Sequence, residues 1–229
     1  MARVKVGVFS LTLPVGEDAD YLRWHLLDHM PEQFRLPGIQ HASRYIADGA
    51  YLEARLAGEG PLADVGNLVT YLVGDPVEET LADFIALGGS LAAAGRFPDR
   101  RPSLQLSALP LVSCAAAPAA MVSAEVLPWR PHRGVLLLVE AGEPAPDDPE
   151  LLDVPGVAGV WRYGVPDTQR PAPWHNAPHV MTLVYLDQDP LATTATLTPL
   201  VERRWRSGAA RPLFAGPLRS MIEWEVWPR

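Results

Sequence analysis

The sequence is poor in the features that announce the commoner chemistries. Cys114 is its single cysteine in 229 residues, so neither an internal disulfide nor an all-cysteine metal site can form. No apolar run reaches the roughly 18 residues that a membrane-crossing helix needs. Basic residues are outnumbered, 19 Lys and Arg against 27 Asp and Glu, for a formal charge of -8. A nucleic-acid binder needs a basic footprint, and this balance argues against one. There is no Gly-rich phosphate loop, nucleophile elbow or cysteine–histidine pair, so nucleotide-dependent and covalent serine chemistry lack support. What is present is apolar material, 48% of residues, enough for a substantial core. The chain enters a strand pattern directly from Met1 with no signal-peptide segment, and a cytoplasmic location is the expectation.

The 24 prolines must lie in loops or at element edges, and they help to punctuate the chain. Residues 3–13 read as a strand ending at Pro14. Asp18 or Asp20 can cap a helix in which Tyr21, Trp24, Leu27 and Met30 recur at helical spacing. Pro31 disfavours helical geometry at Met30, so a kink or restart is expected there. Strands follow at 39–47 and 67–74. A helix then begins after Asp75-Pro76, with Gly88-Gly89 able to loosen or end it, and a fourth strand covers 103–113. The alanine- and proline-rich stretch 114–133 reads as a linker, with a short strand near 122–127.

Beyond it the pattern returns. Pro31-Glu32 through Pro37-Gly38-Ile39 matches Pro149-Glu150 through Pro155-Gly156-Val157, and Arg44-Tyr45 and Arg162-Tyr163 follow at the same offset. TYLVGDP (70–76) corresponds to VYLDQDP (184–190), with a helix near 191–206 and a last strand at 218–227. A duplication is expected, with a first repeat over 1–113, a linker over 114–133 and a degenerate second repeat over 134–229. The second repeat has only about nine residues between Glu140 and Pro149, so its first helix is lost or shortened. The expected fold class is α+β. Two ferredoxin-like βαββαβ repeats would form a pseudo-dimeric α/β barrel, burying their open sheet faces against each other with a pocket in or beside the core.

The run Tyr21 to Glu32, then Leu36-Pro37-Gly38 and Arg44-Tyr45, resembles the EthD family of the dimeric α/β-barrel superfamily. His29, Pro31, Pro37, Gly38 and Tyr45 match that family's pattern of an aromatic-rich helix, a His-x-Pro, a Pro-Gly turn and a strand bearing Tyr. The resemblance implies a fold and a pocket location. It also implies a range of reactions: cofactor-free monooxygenases, cyclases, decarboxylases, dehydratases and isomerases, along with haem enzymes. Asp147 stands in the second half where His29 stands in the first, so a single asymmetric site is expected.

His25 and His29 are four apart and share one helix face. Placed near a helix C-terminus beside Asp28, His29 is expected to favour the imidazolium and to shuttle a proton. Tyr45 is a candidate hydrogen-bond donor to an enolate or phenolate oxygen. The catalytic candidates are therefore His29, His25 and Tyr45, and the substrate-binding candidates Trp24, His41, Trp161, Tyr163 and Trp174. Trp174 lies in a proline-rich loop, 165–178, that suits a lid. Arg44 and Arg162 point away from their neighbouring tyrosines and are expected to pair with acids on the helix side. Arg203, Arg204 and Arg206 read as a solvated basic face, and Trp224 and Trp227 as opposite sides of the last strand. His25/His29 and His175/His179 are each a possible metal pair, but neither has a third ligand at defined spacing, so no metal and no cofactor is expected.

The function expected is that of a cofactor-independent enzyme using histidine acid/base chemistry. It would act on a small, apolar, oxygenated compound, aromatic or polyketide-like, as lyase, cyclase, isomerase or monooxygenase. The alternatives are a non-catalytic small-molecule binding protein and a haem- or metal-dependent enzyme of the same fold. The expected partner is a small-molecule substrate, with no nucleic acid and no membrane, and the chain a monomer or homodimer.

Overall fold

A computed structural model of the chain describes residues 3–14, 19–97, 103–142 and 149–221. Asp18, Asp147, Trp224 and Trp227 lie outside them. The elements run β1 (Val6–Thr12), α1 (Ala19–Trp24), a π turn (His25–His29), α2 (Met30–Gln33), β2 (Ile39–Ile46), α3 (Ala50–Glu53), β3 (Ala57–Gly58), β4 (Asn67–Val73), α4 (Val77–Ala93) and β5 (Gln105–Ala116). They continue β6 (Gly134–Ala141), β7 (Val157–Tyr163), β8 (His179–Leu186), α5 (Pro190–Arg206) and β9 (Arg211–Ser220).

The strands form one antiparallel sheet in the order β2-β4-β1-β5-β7-β8-β6-β9-β3, and a β2–β9 pairing closes eight of them into a barrel. Closure removes the free edges that an open sheet exposes. The β5–β7 junction pairs Leu111 with Tyr163 and Ala116 with Gly159 at its ends. Among the described residues the β2–β9 junction pairs Tyr45 with Ser220 and Ile46 with Arg219.

Strand alternation sorts the side chains into an interior and an outer layer. Phe9, Leu11, Tyr45, Leu109, Leu137, Trp161, Tyr163, Tyr185 and Phe214 fill the interior, each at most 2% exposed. An eight-stranded barrel is just wide enough to be filled in this way. Each such side chain contributes about 1.5–3 kcal/mol on burial. Gly7 faces the same interior, where an added Cβ would lie 2.6 Å from the rings of Phe9 and Tyr163.

Outside the barrel, the π turn, α2 and α4 cover the first half, with Leu26, Met30 and Leu81 in one cluster with Val8, Val69 and Tyr71 of the strands. α5 covers the second half through Leu197 and Val201 against Leu136, Leu138 and Val184. Asp189 caps α5, accepting from the Ala192 amide at 2.8 Å, a contact worth about 1 kcal/mol. Among the described residues no helix is long and apolar enough to cross a membrane.

Several boundaries depart from expectation for identifiable reasons. The first helix does not break before Pro31. Met30 keeps helical angles (φ -65, ψ -43) and its amide bonds to the His25 carbonyl, a π-type span; widening by one residue lets the backbone pass a proline that cannot donate. α4 runs straight through Gly88-Gly89. β9 begins at Arg211 rather than 218, because a register shift beside Leu213 absorbs the proline at Pro212. The stretch 114–133 holds the end of β5 and two 3-10 turns, Pro118–Ala120 and Ala124–Trp129, with Ala117, Ala120 and Leu127 buried. Between β6 and β7 the described residues form a single 3-10 turn, Pro149–Asp153.

Candidate functional site

The residues singled out in the sequence fall on two sides of the barrel wall. Trp24, His25, His29 and Trp174 lie on the helix side of the first half. His41, Tyr45, Trp161 and Tyr163 face inward. The alternation of β2 makes the division, since Arg44 points out and Tyr45 in. His29 and Tyr45 therefore do not meet at one site.

On the helix side, the π turn brings His25 and His29 together, ring centroids 5.5 Å apart. Gln33, one turn later, is 1% exposed, and across the layer β2 and β4 present Arg44 and Tyr71, each 2% exposed. The Arg44 guanidinium lies 5.2 Å from the centre of the Tyr21 ring and donates to Asn67 Oδ1 at 3.1 Å. Four buried polar atoms on these residues have no hydrogen-bond partner among the described residues: His25 Nδ1, His29 Nδ1, Gln33 Oε1 and Tyr71 Oη. Such a concentration is unusual, because buried polar groups are nearly always satisfied.

The walls of this polar layer are aromatic. Trp24 stacks on His29 at 5.1 Å and Phe97 meets its edge at 4.9 Å. Trp24 is fixed by its indole N–H, which donates to the Arg96 carbonyl at 2.7 Å. The Arg96 side chain reaches back to Asp28 and Glu32, each at 2.9 Å. On the far side Tyr71 meets Phe84 at 5.0 Å, and Phe84 meets Trp174 at 6.3 Å. The 165–178 loop thus inserts its tryptophan as a wedge under α4. Arg170 bonds to Glu78 on that helix, and the His175 amide to the Leu106 carbonyl.

Burial sets the protonation states. It holds His25 well below the usual imidazole range, with the Arg44 cation and His29 adding to the effect. It brings His29 down to about 4 against the opposing pull of Asp28. The expected imidazolium does not form, because burial outweighs the pull of Asp28, with the Arg44 and Arg96 cations opposing the charge as well. Burial also pushes the Tyr71 phenol up, so Tyr71 remains a donor. The layer holds two neutral imidazoles, a guanidinium and a phenol.

Inside the barrel, Tyr45 Oη lies 2.9 Å from Nε2 of His132, a residue of the 114–133 stretch with no periodicity to mark it. Tyr163 Oη has no partner among the described residues, and the Trp161 indole donates to the Ala124 carbonyl at 2.8 Å. His41 contacts Ser43 Oγ at 2.9 Å and packs on Trp129. His179 uses both ring nitrogens, with Ala177 O at 2.7 Å and the Gln105 amide at 2.9 Å. Among the described residues no three His, Cys, Asp or Glu side chains converge as a metal site. A separate cleft of about 540 Å³ is lined by His132, Arg133, Asp187, Asp189, Arg219 and Ser220 among others, and by neither His25 nor His29.

Arg44, Tyr71 and Gln33 were not site candidates in the sequence. For Tyr71 the available signal was its parity with Val69 and Val73 in β4, which places it on the helix side.

No protein-family model and no curated protein matches the sequence. Solved structures share its fold. One is an anthrone oxidase-like protein, with a TM-score of 0.57 and 10% identity over 97% of this chain and 94% of that one. Another is a chlorite dismutase from Candidatus Nitrospira defluvii, with a TM-score of 0.51 and 9% identity over 97% and 93%. The chain shares with these structures a mixed α+β fold, here an antiparallel barrel flanked by helices. At these identities the likeness is one of fold and does not single out the EthD family.

Proposed function

We propose that the protein is an enzyme of oxygen-related chemistry that abstracts a proton from a small, apolar, oxygenated aromatic or polyketide-like substrate without a cofactor. The observation that carries this reading is the set of four unpartnered polar atoms facing Arg44 within an aromatic-walled layer. Each such atom costs about 1–3 kcal/mol when buried, and a ligand bearing oxygen would satisfy them. The name of the anthrone oxidase-like structure points to the same substrate class.

The chemistry follows from the charges. An O–H or acidic C–H bond of the substrate breaks, its proton passes to the imidazole of His29 or His25, and the electron pair stays on the substrate as phenolate or enolate. Arg44 and the Tyr71 hydroxyl hold that anion. Arg44 weakens both imidazoles as bases, but the anion placed between them offsets the repulsion as it forms. Trp24, Phe97 and Trp174 wall the layer off from water. Tyr45 lies on the other side of the wall and is not assigned to this step.

Haem, the cofactor of chlorite dismutases, fits these residues poorly. His132 and His179 spend both ring nitrogens on protein partners, and aromatic rings pack directly against His25 and His29.

The reading also includes a tandem duplication, with repeats over 1–113 and 134–229. Its support is the strand order: β2-β4-β1-β5 is followed by β7-β8-β6-β9 in the same sequence of roles, with Arg44-Tyr45 and Arg162-Tyr163 on corresponding strands.

The test is anthrone in air, with oxygen uptake and quinone formation followed for the wild type and His29→Ala. Turnover that disappears in a variant with an unchanged circular dichroism spectrum supports the assignment; unaltered turnover removes it. Saturable binding of anthrone without turnover in the wild type would favour the non-catalytic binding protein.

A further inference from the structure

The hydrogen bond between Tyr45 and His132 has a defined direction. His132 Nδ1 lies 2.8 Å from the Arg130 carbonyl. A carbonyl only accepts, so Nδ1 carries the proton and Nε2 is the free lone pair of a neutral imidazole. The phenol of Tyr45 must then be the donor across the 2.9 Å contact. The two rings are stacked, 28° from parallel, and the edge of Tyr185 closes on His132 at 5.0 Å. Tyr45 is 2% exposed, whereas His132 also lines the 540 Å³ cleft.

The other aromatic groups of the interior lack this arrangement. Tyr163 Oη has no partner among the described residues. The Trp161 N–H faces only the Ala124 carbonyl, a very weak base. A buried phenol or indole that loses an electron becomes a strong acid. Without a base in reach its radical cation stays charged in an apolar core, which is costly. Tyr45 is the interior tyrosine seen to have a base aligned on its proton.

We propose that Tyr45 and His132 form a redox-active pair, a site distinct from the helix-side layer, at which an oxidising equivalent entering the barrel settles. A one-electron oxidant of the peroxyl or ruthenium(III) class removes an electron from the Tyr45 ring. The phenolic O–H bond breaks, its proton forms a new N–H bond at His132 Nε2, and the products are a neutral tyrosyl radical and an imidazolium still donating from Nδ1 to Arg130. Return of one electron from a small reductant in the cleft draws the proton back and restores both residues. The filled aromatic core passes the electron vacancy inward, and the imidazole at the cleft wall links the pair to solvent.

The experiment uses the full chain in a Tyr51→Phe background, since Tyr51 is the one tyrosine that is not buried. Ruthenium(III) tris-bipyridine is generated by flash photolysis, and the tyrosyl radical is followed by transient absorption and electron paramagnetic resonance in H₂O and D₂O. Radical formation slowed in D₂O, loss of most of the radical yield in Tyr45→Phe, and a similar loss in folded His132→Leu support the pair. An undiminished tyrosyl yield in Tyr45→Phe, or equal rates in the two solvents, overturns it. If His132→Leu does not fold, the solvent comparison and Tyr45→Phe decide the matter.

Discussion

The helices of the two halves lie against the barrel on layers of opposite character. Both layers bury an arginine on the second strand of the half, Arg44 and Arg162, each 2% exposed. In the second half the remaining charge is closed. Glu140 accepts from Arg204 at 2.6 Å and from the Trp205 indole at 2.9 Å, amid Leu136, Leu138, Val184 and Leu197. Among the described residues Thr182 Oγ1, Thr194 Oγ1 and Arg204 Nε have no partner on that side. In the first half two imidazoles, an amide and a phenol are left open around Arg44. One layer pairs its buried carboxylate within its own chain, and the other gathers neutral polar groups around a buried cation.

The largest expected effect breaks the closed layer. Arg204→Met should cost about 3–5 kcal/mol, because it strands the buried Glu140 charge, while leaving anthrone turnover per folded molecule unchanged. Chemical denaturation alongside the assay checks both parts. Arg204 had been expected on a solvated face with Arg203 and Arg206, and its 9% side-chain exposure is what makes this effect large.

Acid should strike the open layer next. The unfolded chain binds protons on its histidines near pH 6.5, whereas folded His29 resists protonation down to about 4. Between these values the unfolded state holds more protons, so stability falls as pH falls through this window and is fully present above it. His29 alone accounts for about 3 kcal/mol, and His29→Ala should flatten the pH slope of the unfolding free energy measured by urea titration. Turnover, which needs the neutral imidazole, should persist to about pH 5 and decline toward 4.

Gly7→Ala should cost about 1–3 kcal/mol by overpacking Phe9 against Tyr163. It would act on the interior that both halves share and leave the contrast between their layers intact, as a melting-temperature comparison with Arg204→Met would show. The smallest effect is expected at Arg203→Ala. It removes an ion pair with Glu150 whose side chains are both 58% exposed, worth at most about 1 kcal/mol by denaturant midpoint.

The strands and the histidine helix were legible because their periodicity is local. β4 was expected at 67–74 and runs Asn67–Val73. His25 and His29 share a face of their helix as their spacing requires. What the sequence concealed depends on contacts between distant segments or on phase. His132 acquires its place from Tyr45, 87 residues away, and its proline-rich surroundings carry no pattern. TYLVGDP and VYLDQDP align by eye, yet Tyr71 lies in the outer layer and Tyr185 in the interior. Pairing explains the slip: Arg44 faces Val69 in the first half and Arg162 faces Thr182 in the second, so the strands correspond one residue out of step with the Asp-Pro that follows them. A one-residue shift sends every side chain to the opposite face. The protonation of His29 was not legible because it depends on burial under Trp24 and Phe97, contacts that helical spacing alone does not reveal.

The barrel closes at two junctions: β5 with β7 from Leu111 to Ala116, and β2 with β9, where among the described residues Tyr45 faces Ser220 and Ile46 faces Arg219. A hoop of this kind passes strain all the way round, since neither half can loosen its outer strands without parting them from the other. The two halves should therefore come apart in one step, the amides around Tyr45 and those of Cys114 and Ala115 losing their protection from solvent exchange together.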